Sequence, residues 1–253
     1  MIEKKSALIL LTHFWNSELL KMFNGFNQYW DTYVLCEEGI DLGTDISEER
    51  VLRFRKIDFS PSFYSNCGHS FNIMGAMFST LSDEFIESHD RIYFCENDVR
   101  WNSSDYGYLY DKLEASDFDV LMSIARYKND PTDDWGWWCG FNNPKLKFEL
   151  SSVPEEYLMH SLFCFSGFSK KAAKIFKPFY DHVHRPSFLE YFIPTMANVL
   201  KLKTDTLENL GLTEEAIWSW QPLDVNRNGE NMKIVPNKLY HSIKSDIQFP
   251  ISK

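Results

Sequence analysis

Hydrophobic and polar positions follow two different patterns in the first half of the chain. Residues 6–12, SALILLT, are mostly apolar, as in a strand that is buried on both faces of a parallel sheet. The residues after this segment have apolar side chains at helical spacing, namely Leu19, Met22, Phe23, Phe26 and Trp30. Further strand-like segments lie at 31–38, 51–57, 91–98 and 119–127, with a helical stripe over 71–81. This alternation predicts an α/β fold with a mostly parallel central sheet flanked by helices.

The second half of the chain is less regular. Residues 129–144 are rich in turn formers and tryptophan, and we interpret them as a shaped loop. Residues 159–183 predict a strand, a turn at Gly167 and a helix with one apolar face, formed by Ala172, Ala173, Phe176 and Phe179. A second helix is predicted over 185–202. No linker rich in Gly, Ser or Pro interrupts the chain, so we expect one domain over residues 1–253.

Composition and charge exclude several classes of protein. Hydrophobic residues make up 44% of the chain, which indicates a globular protein. The net charge of −10 argues against a general nucleic-acid binder, which needs a basic surface. The five cysteines are scattered without a C-x-x-C pair, so we expect free, mostly buried thiols, as in a reducing cytosol, and no bound zinc.

The distribution of apolar residues along the chain also indicates where in the cell the protein is located. No apolar run approaches the roughly 20 residues that a membrane span needs, and the N-terminal apolar run lacks a small-residue cleavage site. We therefore expect a cytoplasmic protein, with peripheral association at the inner face of the membrane as the alternative. Asn102 begins a formal glycosylation sequon, but a cytoplasmic protein would not use it.

An acidic cluster ends the strand-like segment 91–98. Glu96, Asn97 and Asp98 stand where the strand should reach its carboxyl end, and ligands of parallel sheets bind beyond that end. Neighbouring carboxylates repel each other, so a fold tolerates them best with a cation nearby. Their hard oxygens suit Mn²⁺ or Mg²⁺ bridging to a phosphate. The alternative is an ordinary solvated turn, where Asn and Asp are common.

The order of four segments resembles the glycosyltransferases of the GT-A fold, which use nucleotide-sugar donors. The segments are END at 96–98, FCFSGFSKKAAKIF at 163–176, FLEYFIPTMAN at 188–198 and KLYHSIK at 238–244. END stands in place of the family's DxD motif, with Glu rather than Asp at its first position. The resemblance implies a Rossmann-like fold with a nucleotide-binding half over about 1–101 and an acceptor-binding half over about 102–253.

The resemblance also implies roles for the donor site. Asp98 would bind a divalent metal, Mn²⁺ or Mg²⁺, and the diphosphate, while Glu96 would face the ribose or the metal. His241 would complete the metal shell, and Lys244 would neutralise the leaving diphosphate. Some members of the class work without a metal, so the cofactor stays open. The alternative for the last pair is an ordinary surface His and Lys.

Glu190 is the candidate catalytic residue. Inverting sugar transfer needs a general base. The segment FLEYFIPTMAN at 188–198 resembles the helix that carries a catalytic carboxylate in inverting members of the class. The stretch 187–190, SFLE, is also a formal capping box, which would explain Glu190 without catalysis.

Further donor contacts are expected from Thr12 and His13 at the end of the first strand, and from Asn66 and His69 ahead of a helix N-terminus. The acceptor-side candidates share a carboxylate or an aromatic ring in the loop after residue 130: Asp133, Asp134, Trp135, Trp137 and Trp138. Sugars stack on aromatic rings and their hydroxyls hydrogen-bond to carboxylates. Alternatively, the tryptophans pack into the hydrophobic core beneath the loop.

These observations predict transfer of a sugar from a nucleotide-sugar to a glycan or lipid-linked glycan, in polysaccharide biosynthesis. A sugar-nucleotide nucleotidyltransferase is one alternative, but residues 12–18 lack the Gly-rich basic loop of that class. A non-catalytic carbohydrate-binding protein is the other, and it would leave the acidic strand end unexplained. The chain has no G-x-S-x-G, P-loop or G-x-G-x-x-G motif.

Overall fold

The computed structural model describes residues 5–55, 77–130, 150, 152–182, 189–214 and 235–243. Seven strands form the central sheet: β1 (Ser6–Thr12), β2 (Asp31–Glu37), β3 (Val51–Phe54), β4 (Arg91–Glu96), β6 (Val120–Met122), β9 (Phe165–Ser169) and β10 (Thr204–Thr206). Four short strands form two pairs: β5 (Arg100–Trp101) with β11 (Leu239–Tyr240), and β7 (Arg126–Tyr127) with β8 (Met159–His160). The helices are α1 (Ser17–Phe26), α2 (Asp83–Ser88), α3 (Tyr106–Ala115), α4 (Lys170–His182) and α5 (Leu189–Val199).

The strands of the central sheet lie in the order β10-β6-β9-β4-β1-β2-β3. β1, β2, β3 and β4 are parallel, and β10 is parallel to β6. β9 lies antiparallel between β4 and β6, with Phe165 paired to Cys95. The predicted α/β fold with a mostly parallel sheet is confirmed, and strands from both halves of the chain share the one sheet.

The sheet buries apolar side chains on both faces. In β1, Ile9 and Leu11 belong to one core cluster, while Leu8 and Leu10 belong to the other. This is why the segment is apolar without alternation. α1 begins after Asn16, whose side chain accepts hydrogen bonds from two backbone N–H groups of the first turn, at 3.0 and 3.1 Å.

Several local predictions need correction. The turn predicted at Gly167 is wrong, because Gly167 lies in the middle of β9. A Cβ on this residue would stand 2.9 Å from the ring of Tyr93, so glycine permits a close approach between neighbouring strands. The predicted strand over 119–127 is two strands, β6 and β7. Phe179, assigned to the apolar face of its helix, is 38% exposed and packs edge-on against Phe192.

Other expectations are met in part. Cys36, Cys95 and Cys164 are free, buried thiols, whereas Cys67 and Cys139 lie outside the described residues. Most of the predicted stripe over 71–81 also lies outside them. Within the described ranges, no helix has the length and apolar character that crossing a membrane requires.

Candidate functional site

The acidic cluster stands where three strands of the sheet meet. β1 and β4 run parallel and end at the same edge of the sheet, and β9 starts from that edge in the opposite direction. Glu96 is the last residue of β4, and its backbone N–H donates to the carbonyl oxygen of Cys164 at 2.8 Å. Cys164, one residue before β9, is therefore fixed beside the end of β4.

A tight turn follows β4 and is held by a buried arginine. The backbone N–H of Val99 donates to the carbonyl of Glu96 at 3.1 Å and closes the turn. The guanidinium of Arg100 donates to the carbonyls of Asn97 and Val99, at 2.5 and 2.9 Å. Its second terminal nitrogen lies 3.8 Å from the carboxylate of Glu18. The turn is thus held by hydrogen bonds and the Asp98 side chain is buried, so the alternative of an ordinary solvated turn does not describe it.

Asn102 ties this turn to the segment 235–243. Asn102 is completely buried, and its side-chain amide donates to the carbonyl of Val235 at 2.5 Å. Its side-chain oxygen accepts from the backbone N–H of Lys238 at 2.9 Å, and β5 pairs with β11 next to these bonds. Buried inside the fold, the sequon asparagine acts as a clamp between two distant segments.

The clamp brings His241 to the two carboxylates. The Nε2 atom of His241 lies 3.3 Å from Oδ1 of Asp98 and 3.8 Å from Oε2 of Glu96. The hydroxyl of Ser242 donates to Oδ2 of Asp98 at 2.6 Å, and the backbone N–H of Ile243 donates to the carbonyl of Asp98 at 2.8 Å. Because His241 is only 5% exposed, the alternative of a surface histidine is wrong.

Cys164 completes the cluster and was missed by the sequence reasoning. One ligand atom from each of Glu96, Cys164 and His241 lies within 4.8 Å of the others. Burial, and then the surrounding carboxylates, raise the pKa of the Cys164 thiol well above its usual value. The only signal in the sequence was a cysteine at the start of the strand that pairs with the acidic strand.

The donor atoms in this cluster fit a divalent cation. The carboxylate of Glu96, the imidazole of His241 and the thiol of Cys164 come together in a largely buried place, and the carboxylate of Asp98 lies 3.3 Å from the imidazole. Carboxylates in such a place need a positive partner. Asp98 accepts from Ser242 through Oδ2, so its other oxygen, Oδ1, faces His241. Carboxylate and imidazole ligands of this kind bind Mn²⁺ or Zn²⁺ in proteins.

Glu190 lies in the first turn of α5 and is buried. Burial, and then the charge of Glu96, raise the pKa of the Glu190 carboxyl well above its usual value. Its backbone carbonyl accepts from the N–H of Ser161 at 2.7 Å. Because Ser161 directly follows β8, this bond fixes the start of α5 beside that strand. Ser187, the other member of the proposed capping box, lies outside the described residues.

The remaining donor-site candidates are placed as follows. Thr12 is the last residue of β1, and its hydroxyl donates to the carbonyl of Phe14 and accepts from the N–H of the same residue. This hydroxyl therefore shapes the turn after β1. His13 is exposed and contacts the ring of Phe14 edge-on, with 5.0 Å between the ring centroids. Asn97 is partly buried, with its backbone carbonyl held by Arg100.

Eight candidates lie outside the described residues: Asn66, His69, Asp133, Asp134, Trp135, Trp137, Trp138 and Lys244. Their assignment to donor binding, acceptor binding and diphosphate neutralisation remains a prediction.

Comparison with known proteins finds distant structural likenesses. No protein-family model matches the chain, and no curated protein matches it. Core-mannan synthase A from Aspergillus fumigatus, in its Mn/GDP form, is similar with a TM-score of 0.39 and 11% identity, over 82% of this chain and 74% of the other. The mannosyltransferase Ktr4p from S. cerevisiae gives a TM-score of 0.39 at 8% identity, over 82% and 69%. Its complex with GDP gives 0.35 at 11%, over 80% and 68%.

Proposed function

We propose that the protein is a metal-dependent glycosyltransferase, which moves a sugar from a nucleotide-sugar donor to a hydroxyl of a glycan or lipid-linked glycan. The observation that carries this proposal is the convergence of Glu96, Asp98 and His241 at the carboxyl edge of the sheet. A parallel sheet binds its ligands at this edge, and a buried and a partly buried carboxylate next to an imidazole suit a cation that in turn binds a diphosphate.

The three side chains would hold the cation through Oε2 of Glu96, Oδ1 of Asp98 and Nε2 of His241. When bound, Mn²⁺ or Mg²⁺ supplies positive charge to the diphosphate and makes it a better leaving group. Ser242 orients Asp98 by donating to its other oxygen. The buried guanidinium of Arg100 keeps the turn in place through the carbonyls of Asn97 and Val99, and Asn97 would contact the donor from this turn.

Glu190 is assigned the role of general base in this proposal. In an inverting transfer the acceptor oxygen attacks the anomeric carbon, the bond from that carbon to the diphosphate oxygen breaks, and the acceptor proton moves to the Glu190 carboxylate. A buried carboxyl with a raised pKa accepts a proton more readily than an exposed one, which suits this role.

A thermal-shift screen followed by a transfer assay tests the proposal. UDP-, GDP-, CMP- and dTDP-sugars, including GDP-mannose, are added with Mn²⁺ or with EDTA, and the melting temperature is measured. Release of the nucleotide in the presence of glycan acceptors is then followed for any donor that binds. We expect a shift with one donor that requires Mn²⁺ and is lost in Asp98→Asn.

The matched control is Asp111→Asn, a substitution at an exposed carboxylate of α3 that should leave the shift unchanged. A shift of equal size in Asp98→Asn and the wild type would contradict the assigned donor site. Absence of a shift with every nucleotide would overturn the proposed function and favour a carbohydrate-binding protein.

A further inference from the structure

We propose that Cys164 is a ligand of the metal centre, which gives the site a sulfur donor and makes it bind Zn²⁺ or Co²⁺ more tightly than Mg²⁺. The inference rests on the metal centre of the proposed function and names the class of cation that this centre selects.

Cys164 reaches the centre from a segment independent of the other ligands. Glu96 ends β4, His241 follows β11, and Cys164 precedes β9, yet their ligand atoms lie within 4.8 Å of one another. The hydrogen bond from Glu96 N–H to the carbonyl of Cys164, at 2.8 Å, fixes the backbone from which the thiol projects. The thiol is therefore held at the cluster by strand pairing, since the next residue already belongs to β9.

The spacing of the donor atoms favours a tetrahedral centre. Ligand atoms around tetrahedral zinc lie about 3.3–3.8 Å apart, given metal–ligand bonds of about 2.0–2.3 Å. Neighbouring oxygens around octahedral Mg²⁺ lie only about 2.9 Å apart, given bonds of about 2.0–2.1 Å. The distances from Nε2 of His241, 3.3 Å to Asp98 and 3.8 Å to Glu96, fall within the tetrahedral range and exceed the octahedral Mg²⁺ value.

A sulfur donor changes which cation is preferred. Thiolates and imidazoles bind borderline cations such as Zn²⁺ and Co²⁺ well, whereas Mg²⁺ prefers oxygen ligands. Coordination replaces the thiol proton by the metal, so one proton leaves Cys164 for solvent when the cation binds. The other described thiols are engaged elsewhere: Cys95 donates to the carbonyl of Glu96 at 3.6 Å, and Cys36 accepts from Arg53 at 3.6 Å.

X-ray absorption of the full chain loaded with one equivalent of Zn²⁺, without nucleotide, tests the inference. We expect one sulfur scatterer at about 2.3 Å together with nitrogen and oxygen scatterers at about 2.0–2.2 Å. Cys164→Ser should remove the sulfur scatterer and weaken Zn²⁺ binding at least about 10-fold, since the loss of even an outer-shell partner costs about 10–100-fold. Cys36 is a buried cysteine of β2, so Cys36→Ser is the matched control. This variant should retain the sulfur scatterer and the wild-type Zn²⁺ affinity.

The outcomes separate this inference from the proposed function. Zn²⁺ bound by the wild type through nitrogen and oxygen alone, or a sulfur scatterer that persists in Cys164→Ser, would overturn the role of Cys164. Either result would leave a metal centre of carboxylates and imidazole intact. The wild-type spectrum is decisive even if Cys164→Ser folds poorly. A wild-type protein that binds neither Zn²⁺ nor Mn²⁺ would overturn both proposals.

Discussion

Substitution of Asn102 by alanine should weaken both the fold and the metal centre. The buried amide of Asn102 makes two hydrogen bonds to the segment that carries His241, to Val235 and Lys238. Asn102→Ala would leave the backbone N–H of Lys238 without this partner, while the carbonyl of Val235 would keep only the longer bond from the Tyr240 hydroxyl, at 3.4 Å. An unsatisfied polar group inside a protein costs about 1–3 kcal/mol, so we expect the free energy of unfolding to fall by about 1–3 kcal/mol.

Chemical denaturation and Mn²⁺ titration measure the two effects on one sample. The loss of the clamp should also weaken Mn²⁺ binding, because His241 reaches Asp98 only when segment 235–243 is docked. Asn209→Ala is the control, since the side-chain amide of Asn209 donates to Asp205 in an exposed place and its loss should cost less than about 0.5 kcal/mol. An Asn102→Ala protein with wild-type stability and Mn²⁺ affinity would refute the assignment of Asn102 as a clamp.

Three further predictions concern separate parts of the molecule. Burial alone would raise the pKa of Asp31, but hydrogen bonds led by that of Arg50 lower it. The resulting stability is present above the unfolded pKa of about 3.9 and is lost as pH falls through the lower folded pKa. Asp31→Asn should therefore lower the free energy of unfolding at neutral pH. Denaturation measured across a pH series should show the difference from wild type shrinking in acid. Gly167→Ala should lower the free energy of unfolding by about 1–3 kcal/mol, because its Cβ would stand 2.9 Å from the ring of Tyr93; an unchanged value would contradict that close approach. Glu190→Gln should reduce transfer at least about 100-fold in a donor-turnover assay while donor binding persists; full turnover would remove Glu190 as the base.

The core of the fold could be predicted from the sequence because its signals are local. A strand buried on both faces must be apolar throughout, and residues 6–12 form β1 as predicted. The end of β4 could be predicted for the same reason, since a buried strand cannot continue through Glu96 and Asp98 without partners for their charges.

Other features depend on residues that are distant in the chain. Glycine is a local turn signal, yet Gly167 is required by the ring of Tyr93 in the neighbouring strand. Asn102 has the local pattern of a sequon, but its amide binds Val235, 133 residues further along the chain. The antiparallel direction of β9 likewise has no local signature, because it depends on the path of the chain between strands.

Only part of the site could be predicted, because the site also depends on residues that are distant in the chain. The pairing of Asp98 with His241 followed from the resemblance of two short motifs, and the structure brings their side chains to 3.3 Å. Cys164 was overlooked because a single cysteine has no spacing pattern, and its position beside Glu96 arises only when β9 pairs with β4.

Calorimetric titration of a nucleoside diphosphate tests the central claim most directly. GDP and UDP are titrated into the wild type and into His241→Ala, each with Mn²⁺ and with EDTA. The account predicts binding of one nucleotide that requires Mn²⁺ and weakens at least about 10-fold in His241→Ala, because the cation joins the diphosphate to the cluster. Binding that is equal with Mn²⁺ and EDTA, or unchanged in His241→Ala, would contradict a metal-bridged donor site at the end of β4.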